Sequence, residues 1–177
     1  MNKNTDKITG ILDQIRILKA KHAELAAATG EDFNIFSILH IRHREVQTHT
    51  TILGELLNPH GLHHQQADFL KLFLKKVCTE PEKATFCNNP ESYQVRNEER
   101  IDEAQFDIML ENDKTRIVIE NKIFAGDQYS QLYRLWQDAM KDFDGSVKLI
   151  YLTLHGSQPS KDSLKNLSEN VVKCISV

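Results

Sequence analysis

AQFDIMLENDKTRIVIENK, residues 104–122, holds two strand-like runs, Ala104–Glu111 and Thr115–Lys122, on either side of Asn112-Asp113-Lys114. If Asp113-Lys114 is a two-residue turn, Asn112 pairs with Thr115 and Asp107 falls opposite Glu120. Side chains alternate along a strand, so Lys122 shares the face of Glu120. Met109 with Val118 and Glu111 with Arg116 continue that face. Phe106, Ile108 and Leu110 against Ile117 and Ile119 form the apolar one. A one-residue slip would bury Asp107 and take it off Glu120's face. Pattern and register agree.

Outward from the hairpin, the spacing of apolar residues predicts helices over 6–27, 45–57, 66–77 and 126–141. Asn58-Pro59-His60-Gly61 ends the second of these. The run 33–41 is apolar too densely for a surface helix. After Pro81 the texture turns strand-like, with a short strand at 93–95 and buried-strand runs at 147–154 and 171–177; HGSQPSKDS between the last two reads as a loop. Helices followed by strand, strand, strand, helix, strand, loop, strand imply an α/β sheet covered by helices. At 177 residues one domain is expected, with 1–80 mostly helical and 90–177 forming the sheet core. The chain stops within an apolar strand, as a fragment of a longer protein would.

Composition narrows the classes. With 22 basic and 25 acidic residues the net charge is −3, which argues against a protein that simply coats nucleic acid. Neither a secretory leader nor an apolar run of membrane-spanning length is visible, so a cytoplasmic setting is expected. Cys78, Cys87 and Cys174 form no CxxC pair and read as reduced packing residues. P-loop, GxGxxG and GxSxG motifs are missing, which removes support for nucleotide-cofactor enzymes and serine hydrolases.

The chemistry concentrates on the hairpin. Opposed carboxylates at Asp107 and Glu120 stand about 5 Å apart at their β-carbons and repel unless one is protonated or a cation lies between them. Mg²⁺ is commonly held by one or two carboxylates plus phosphate oxygens. Lys122 beside it could hold an attacking water or offset charge on a phosphate. Solvated cross-strand ion pairs are the blander reading of the same residues. Against it stands the consecutive Ile117-Val118-Ile119, the mark of a strand buried on both faces, at whose end acids need a reason.

FDIML…RIVIENKIFAGDQYSQL resembles the PD-(D/E)XK nuclease superfamily, with Asp107 at the motif aspartate, Glu120-Asn121-Lys122 as ExK and Phe106 in the proline position. Upstream, REVQTHTTILGELLNPHGLHHQQADFLKLFLKKV is similar to the leading part of a bacterial branch of that superfamily. Together the likeness spans about residues 44–154. It implies a restriction-endonuclease-like αβββαβ core, a mixed sheet flanked by helices, with extra N-terminal helices. It also implies a Mg²⁺-dependent nuclease (Mn²⁺ as substitute) acting on nucleic acid, DNA ahead of RNA, and leaves a homodimer open. By the same resemblance Asp107 and Glu120 are metal ligands, joined by the Asn121 carbonyl and by Glu45 on an early helix. Lys122 is the catalytic lysine and Gln131 the glutamine of QxxxY, whose tyrosine position is Leu135 here. A nuclease fold that binds nucleic acid or protein without cleaving is the alternative.

Other clusters have plainer readings. His60, His63 and His64 could offer zinc ligands, but no cysteine stands near, and His63 is expected to brace the turn it sits in. Glu98, Glu99, Asp102 and Glu103 read as a solvated acidic loop, with Glu99 the one to test near a metal. Lys71, Lys75, Lys76, Lys141 and Lys148 read as solubilising charges or a phosphate-binding stripe. Trp136 and Phe143 are expected in the core.

Overall fold

The computed structural model describes residues 3–29, 45–101, 104–123, 125–168 and 171–176, without the side chains of 3–6, 26–29, 45–47 and 101. Two compact units are present, Met1–Arg42 and His43–Val177. The first contains helix α1 (Lys3–Thr29), whose stripe of Ile8, Ile11, Leu12, Ile15 and Leu18 is exposed. The dense apolar run 33–41 lies outside the described residues. Among the described residues no helix is long and apolar enough to cross a membrane.

The second unit is a five-stranded mixed sheet in the order β1-β2-β3-β4-β5. Its strands are β1 (Gln94–Ile101), β2 (Ala104–Glu111), β3 (Thr115–Lys122), β4 (Ser146–Thr153) and β5 (Val172–Ser176). β1, β2 and β3 pair antiparallel in succession; β4 joins β3, and β5 joins β4, in parallel. A parallel connection needs a crossover, and α5 (Gln131–Met140) supplies one while the short α6 (Lys161–Leu164) lies in the other. The chain therefore has the mixed, helix-flanked α/β architecture of the restriction-endonuclease-like fold.

On one face of the sheet lie α2 (Thr51–Leu57), α3 (Asp68–Val77) and α4 (Glu80–Phe86). Leu57, Leu70, Leu74, Val77 and Phe86 pack there on Ile108, Leu110, Ile117, Ile119 and Ile150. Across the sheet, Leu132, Leu135 and Ala139 of α5 meet Met109, Val118, Leu149 and Tyr151. Each fully buried Leu or Ile contributes about 1.5–3 kcal/mol of transfer free energy, so two such layers carry most of the fold. β3 is buried at every position but its last, as its consecutive branched residues require.

Several boundaries moved. The helix expected at 45–57 begins with a π-helical turn, Glu45–Thr50, before α2. Helix α4 was hidden by Pro81, which sits in its first turn where a missing N–H costs nothing. Thr79 and Glu82 close its capping box. The helix expected from residue 126 starts at Gln131, after a left-handed Ser130. The short strand at 93–95 became the eight-residue β1.

Phe106 is a correction: it joins Met109 and Val118 on the α5 side, not Ile108. The β2–β3 ladder ends at Ile108 and Ile119, and the Ala104 N–H donates to the Asp138 carboxylate of α5 at 2.9 Å, which draws this end of β2 over the helix. Gly145 is dictated by the turn of the hairpin, since a Cβ there would come 2.3 Å from the Lys114 carbonyl oxygen.

Candidate active site

The β2–β3 register is the one the hairpin pattern predicts: Met109 pairs with Val118 and Glu111 with Arg116. Asn112 makes the turn, its Oδ1 accepting from the Lys114 and Thr115 amides at 3.0 and 2.9 Å. Continued past the last pair, the register sets Asp107 across from Glu120. There the ladder opens and side chains take over. Asp107 Oδ2 accepts the Asn121 N–H at 2.7 Å, tying the end of β2 to β3 where pairing with β2 has stopped.

Glu120 is 2 % exposed. Its Oε1 accepts from Gln131 Nε2 at 2.6 Å and lies 2.9 Å from Lys122 Nζ. Gln131 opens α5, so the helix N-terminus delivers the amide that orients the carboxylate. Burial, reinforced by the Asp107 charge, pushes the Glu120 carboxyl up to about 7 despite Lys122. Lys122 is shifted upward: burial opposes its charge, but the Glu120 and Asp107 carboxylates outweigh it, so it is held as an ammonium. A lysine acting as base needs the opposite shift.

These groups share a polar pocket of about 300 Å³ between β1, β2, β3 and α5, lined by Asp107, Glu120, Lys122 and Gln131 together with Glu98, Arg100 and Arg134. The donor set is carboxylate oxygen, which suits a hard divalent cation rather than zinc. Among the described residues, no three His, Cys, Asp or Glu side chains converge closely enough to hold an ion by themselves. The Asp107–Glu120 pair is what the hairpin offers, and two carboxylates with open positions is a common Mg²⁺ arrangement.

Other expected residues fall in different places. The Glu45 backbone lies in the π-helical turn, but its side chain lies outside the described residues, as do Asp102 and Glu103. The Asn121 side chain leaves for the opposite face, where Nδ2 donates to Thr50 Oγ1 at 3.2 Å. Leu135 is buried in the α5 layer, while Trp136 packs against it and Phe143 stacks on the Arg116 guanidinium 4.3 Å from the ring centre. His63 is 3.0 Å from the Asn58 carbonyl oxygen through Nε2, accepts from the Gln65 amide through Nδ1 and meets Phe69 edge-on. It braces its turn.

Two charge assignments change. Lys148 is no part of a phosphate stripe: it is buried, with Nζ 2.6 Å from Glu82 Oε1. Lys71 is engaged by Glu91 at 2.7 Å. Within the acidic run it is Glu98, not Glu99, that lines the pocket; Glu99 lies 3.6 Å from Arg96. Counting register outward through β1 would have found it, because Asn97 pairs with Ile108 and Glu99 with Phe106, setting Glu98 across from Asp107.

Among curated proteins and among solved structures nothing matches. A family model described as PD-(D/E)XK nuclease superfamily matches residues 33–176. That span contains all five strands, the opposed acids, their lysine and the glutamine that orients Glu120, and by it the chain belongs to the PD-(D/E)XK nuclease superfamily.

Proposed function

We propose that the protein is a Mg²⁺-dependent nuclease that hydrolyses phosphodiester bonds, with DNA the substrate ahead of RNA. One observation carries this reading: Asp107 and Glu120 stand at facing positions of β2 and β3 in one polar pocket with Lys122, with Gln131 orienting the Glu120 carboxylate. Nucleases of this superfamily generally use divalent metals. A cation bound at the pair would polarise the scissile phosphate and lower the pKa of the attacking water. Asp107 and Glu120 hold that cation, with the Asn121 carbonyl and Glu45 as further donors. Gln131 keeps the Glu120 carboxylate turned into the pocket, at a hydrogen bond of 2.6 Å. Lys122 offsets the charge that builds on the phosphate as the P–O bond breaks. The preference for DNA rests on the restriction-endonuclease resemblance alone.

The test is cleavage of plasmid, linear duplex, single-stranded DNA and RNA by the purified chain with Mg²⁺, Mn²⁺ or chelator. Asp107→Asn and Glu120→Gln should each lower the rate by about 10²–10³-fold or more, the range for removing a group that stabilises transition-state charge. Metal-dependent cleavage retained in either variant would refute the assignment. Leu135, buried at the tyrosine position of QxxxY, favours a second reading, a fold that binds without cutting. Binding of any of these substrates with no cleavage in either metal would select it.

A further inference from the structure

We propose that Glu98 is a third acid of the cation pocket, acting on the hydrated ion from the neighbouring edge strand. This rests on the reading that Asp107 and Glu120 hold a divalent cation. Register places the three acids in one row across three strands, Glu98 on β1, Asp107 on β2 and Glu120 on β3. Residues opposed in a sheet share a face, and all three line the same pocket.

Glu98 also carries two local costs. Its backbone is left-handed, with φ at 54°, a region that costs a side chain other than glycine about 1–2 kcal/mol. Its Oε1 is buried without a hydrogen-bond partner among the described residues, an unfavourable state for a carboxylate oxygen. The other oxygen, Oε2, accepts from Gln105 Nε2 at 2.6 Å, which fixes the orientation of the group. A residue that only filled the edge of β1 would be cheaper as asparagine or glycine. An orphaned carboxylate oxygen beside two further acids in one polar pocket is a group that the water shell of a divalent cation would satisfy.

The three carboxylates do not converge closely enough to grip one ion. Mg²⁺ keeps several of its own waters and dehydrates reluctantly. Glu98 therefore differs in role from Asp107 and Glu120: it faces the ion's water shell and adds charge and orientation, not a direct bond.

Mn²⁺ titration of the full chain by calorimetry, with Mn²⁺ electron paramagnetic resonance as a second readout, tests this. Glu98→Gln should weaken Mn²⁺ binding by about tenfold, the low end for a group supporting a metal from outside its ligand set. Glu98→Gly, which suits the left-handed backbone, should melt no lower than the unmodified protein and lose the same affinity. Asp107→Asn should lose more than either. If both Glu98 variants bind Mn²⁺ as the unmodified chain does while Asp107→Asn does not, the proposal for Glu98 is wrong and the cation pair stands. If Asp107→Asn also binds normally, the cation reading falls and Glu98 with it.

Discussion

At the end of β3, Glu120 and Lys122 turn into the polar pocket under α5, while Asn121 and Ile123 turn the other way, into a pocket of about 330 Å³ lined by Ile52, Leu53, Phe73, Val77 and Leu152. Alternation alone divides the four residues between two cavities of nearly equal size. The two faces treat buried charge differently. On the α2–α4 face, buried Lys148 meets Glu82, whose second oxygen is taken by the Thr79 amide at 2.7 Å. That charge is answered from within. On the α5 face Glu98, Asp107 and Glu120 line one pocket with Arg100, Lys122 and Arg134, and burial beside Asp107 still drives the Glu120 carboxyl up to about 7. On the reading proposed above, a cation bound beside Asp107 would relieve the raised Glu120 carboxyl, which nothing on the other face requires.

The contrast predicts opposite responses to the same change. Glu120→Gln removes a buried carboxylate that Asp107 repels, so it should abolish cleavage while leaving the melting temperature of the metal-free protein level or higher. Activity assays beside thermal melts check this, and a clear fall in melting temperature would mean that Glu120 serves the fold. Next in size is the shared wall between the faces. Ile119→Ala should cost about 2–5 kcal/mol in denaturant unfolding, the range for a fully buried aliphatic side chain, because the residue packs beneath α3 at the last rung of the β2–β3 ladder. A cost under 1 kcal/mol would show that this end of the sheet is loosely packed.

Smaller is the effect expected at Gln131. Its replacement by Ala leaves Asp107, Glu120 and Lys122 in place but frees the Glu120 carboxylate to rotate. Cleavage should slow by about 10–100-fold, as for other groups that orient metal-binding side chains, with Mn²⁺ affinity falling in step and little change in melting temperature. Gln131→Glu should not rescue, since it places a further negative charge on Glu120.

Much of this face was legible beforehand because few physical rules generate it. Alternation, a two-residue turn and an apolar β3 fix the Asp107–Glu120–Lys122 face, and the observed pairs keep that register. Glu98 was not legible, because Asn97-Glu98-Glu99-Arg100 carries no apolar alternation and reads as solvated loop. β1 owes its length to pairing with β2, a tertiary contact that overrides local composition. Helix α4 did announce itself through Thr79 and Glu82, the capping-box spacing, but Pro81 obscured it. Lys148 was misread for a related reason: a lysine inside a strand gives no sign of a partner 66 residues away.

That distant partner gives the mildest test. Burial works against the Glu82 charge, but the hydrogen bonds from Lys148 and Thr79 outweigh it and hold the carboxyl down at about 2. A depressed carboxyl stabilises the fold above its unfolded pKa, about 4.3 for Glu, and the contribution is lost as pH falls from there through about 2. Glu82 is about a third exposed (34 % for its side chain), so screening trims the gain. Glu82→Gln should cost on the order of 1 kcal/mol at neutral pH. The gap between variant and unmodified protein should narrow below about pH 4.3 and nearly close by about pH 2, measured by urea unfolding across that range, while metal affinity stays unchanged. A gap that persists at low pH would mean that Glu82 contributes through the cap of α4 and not through its charge, and the two faces would then differ less in their electrostatics than their pockets imply.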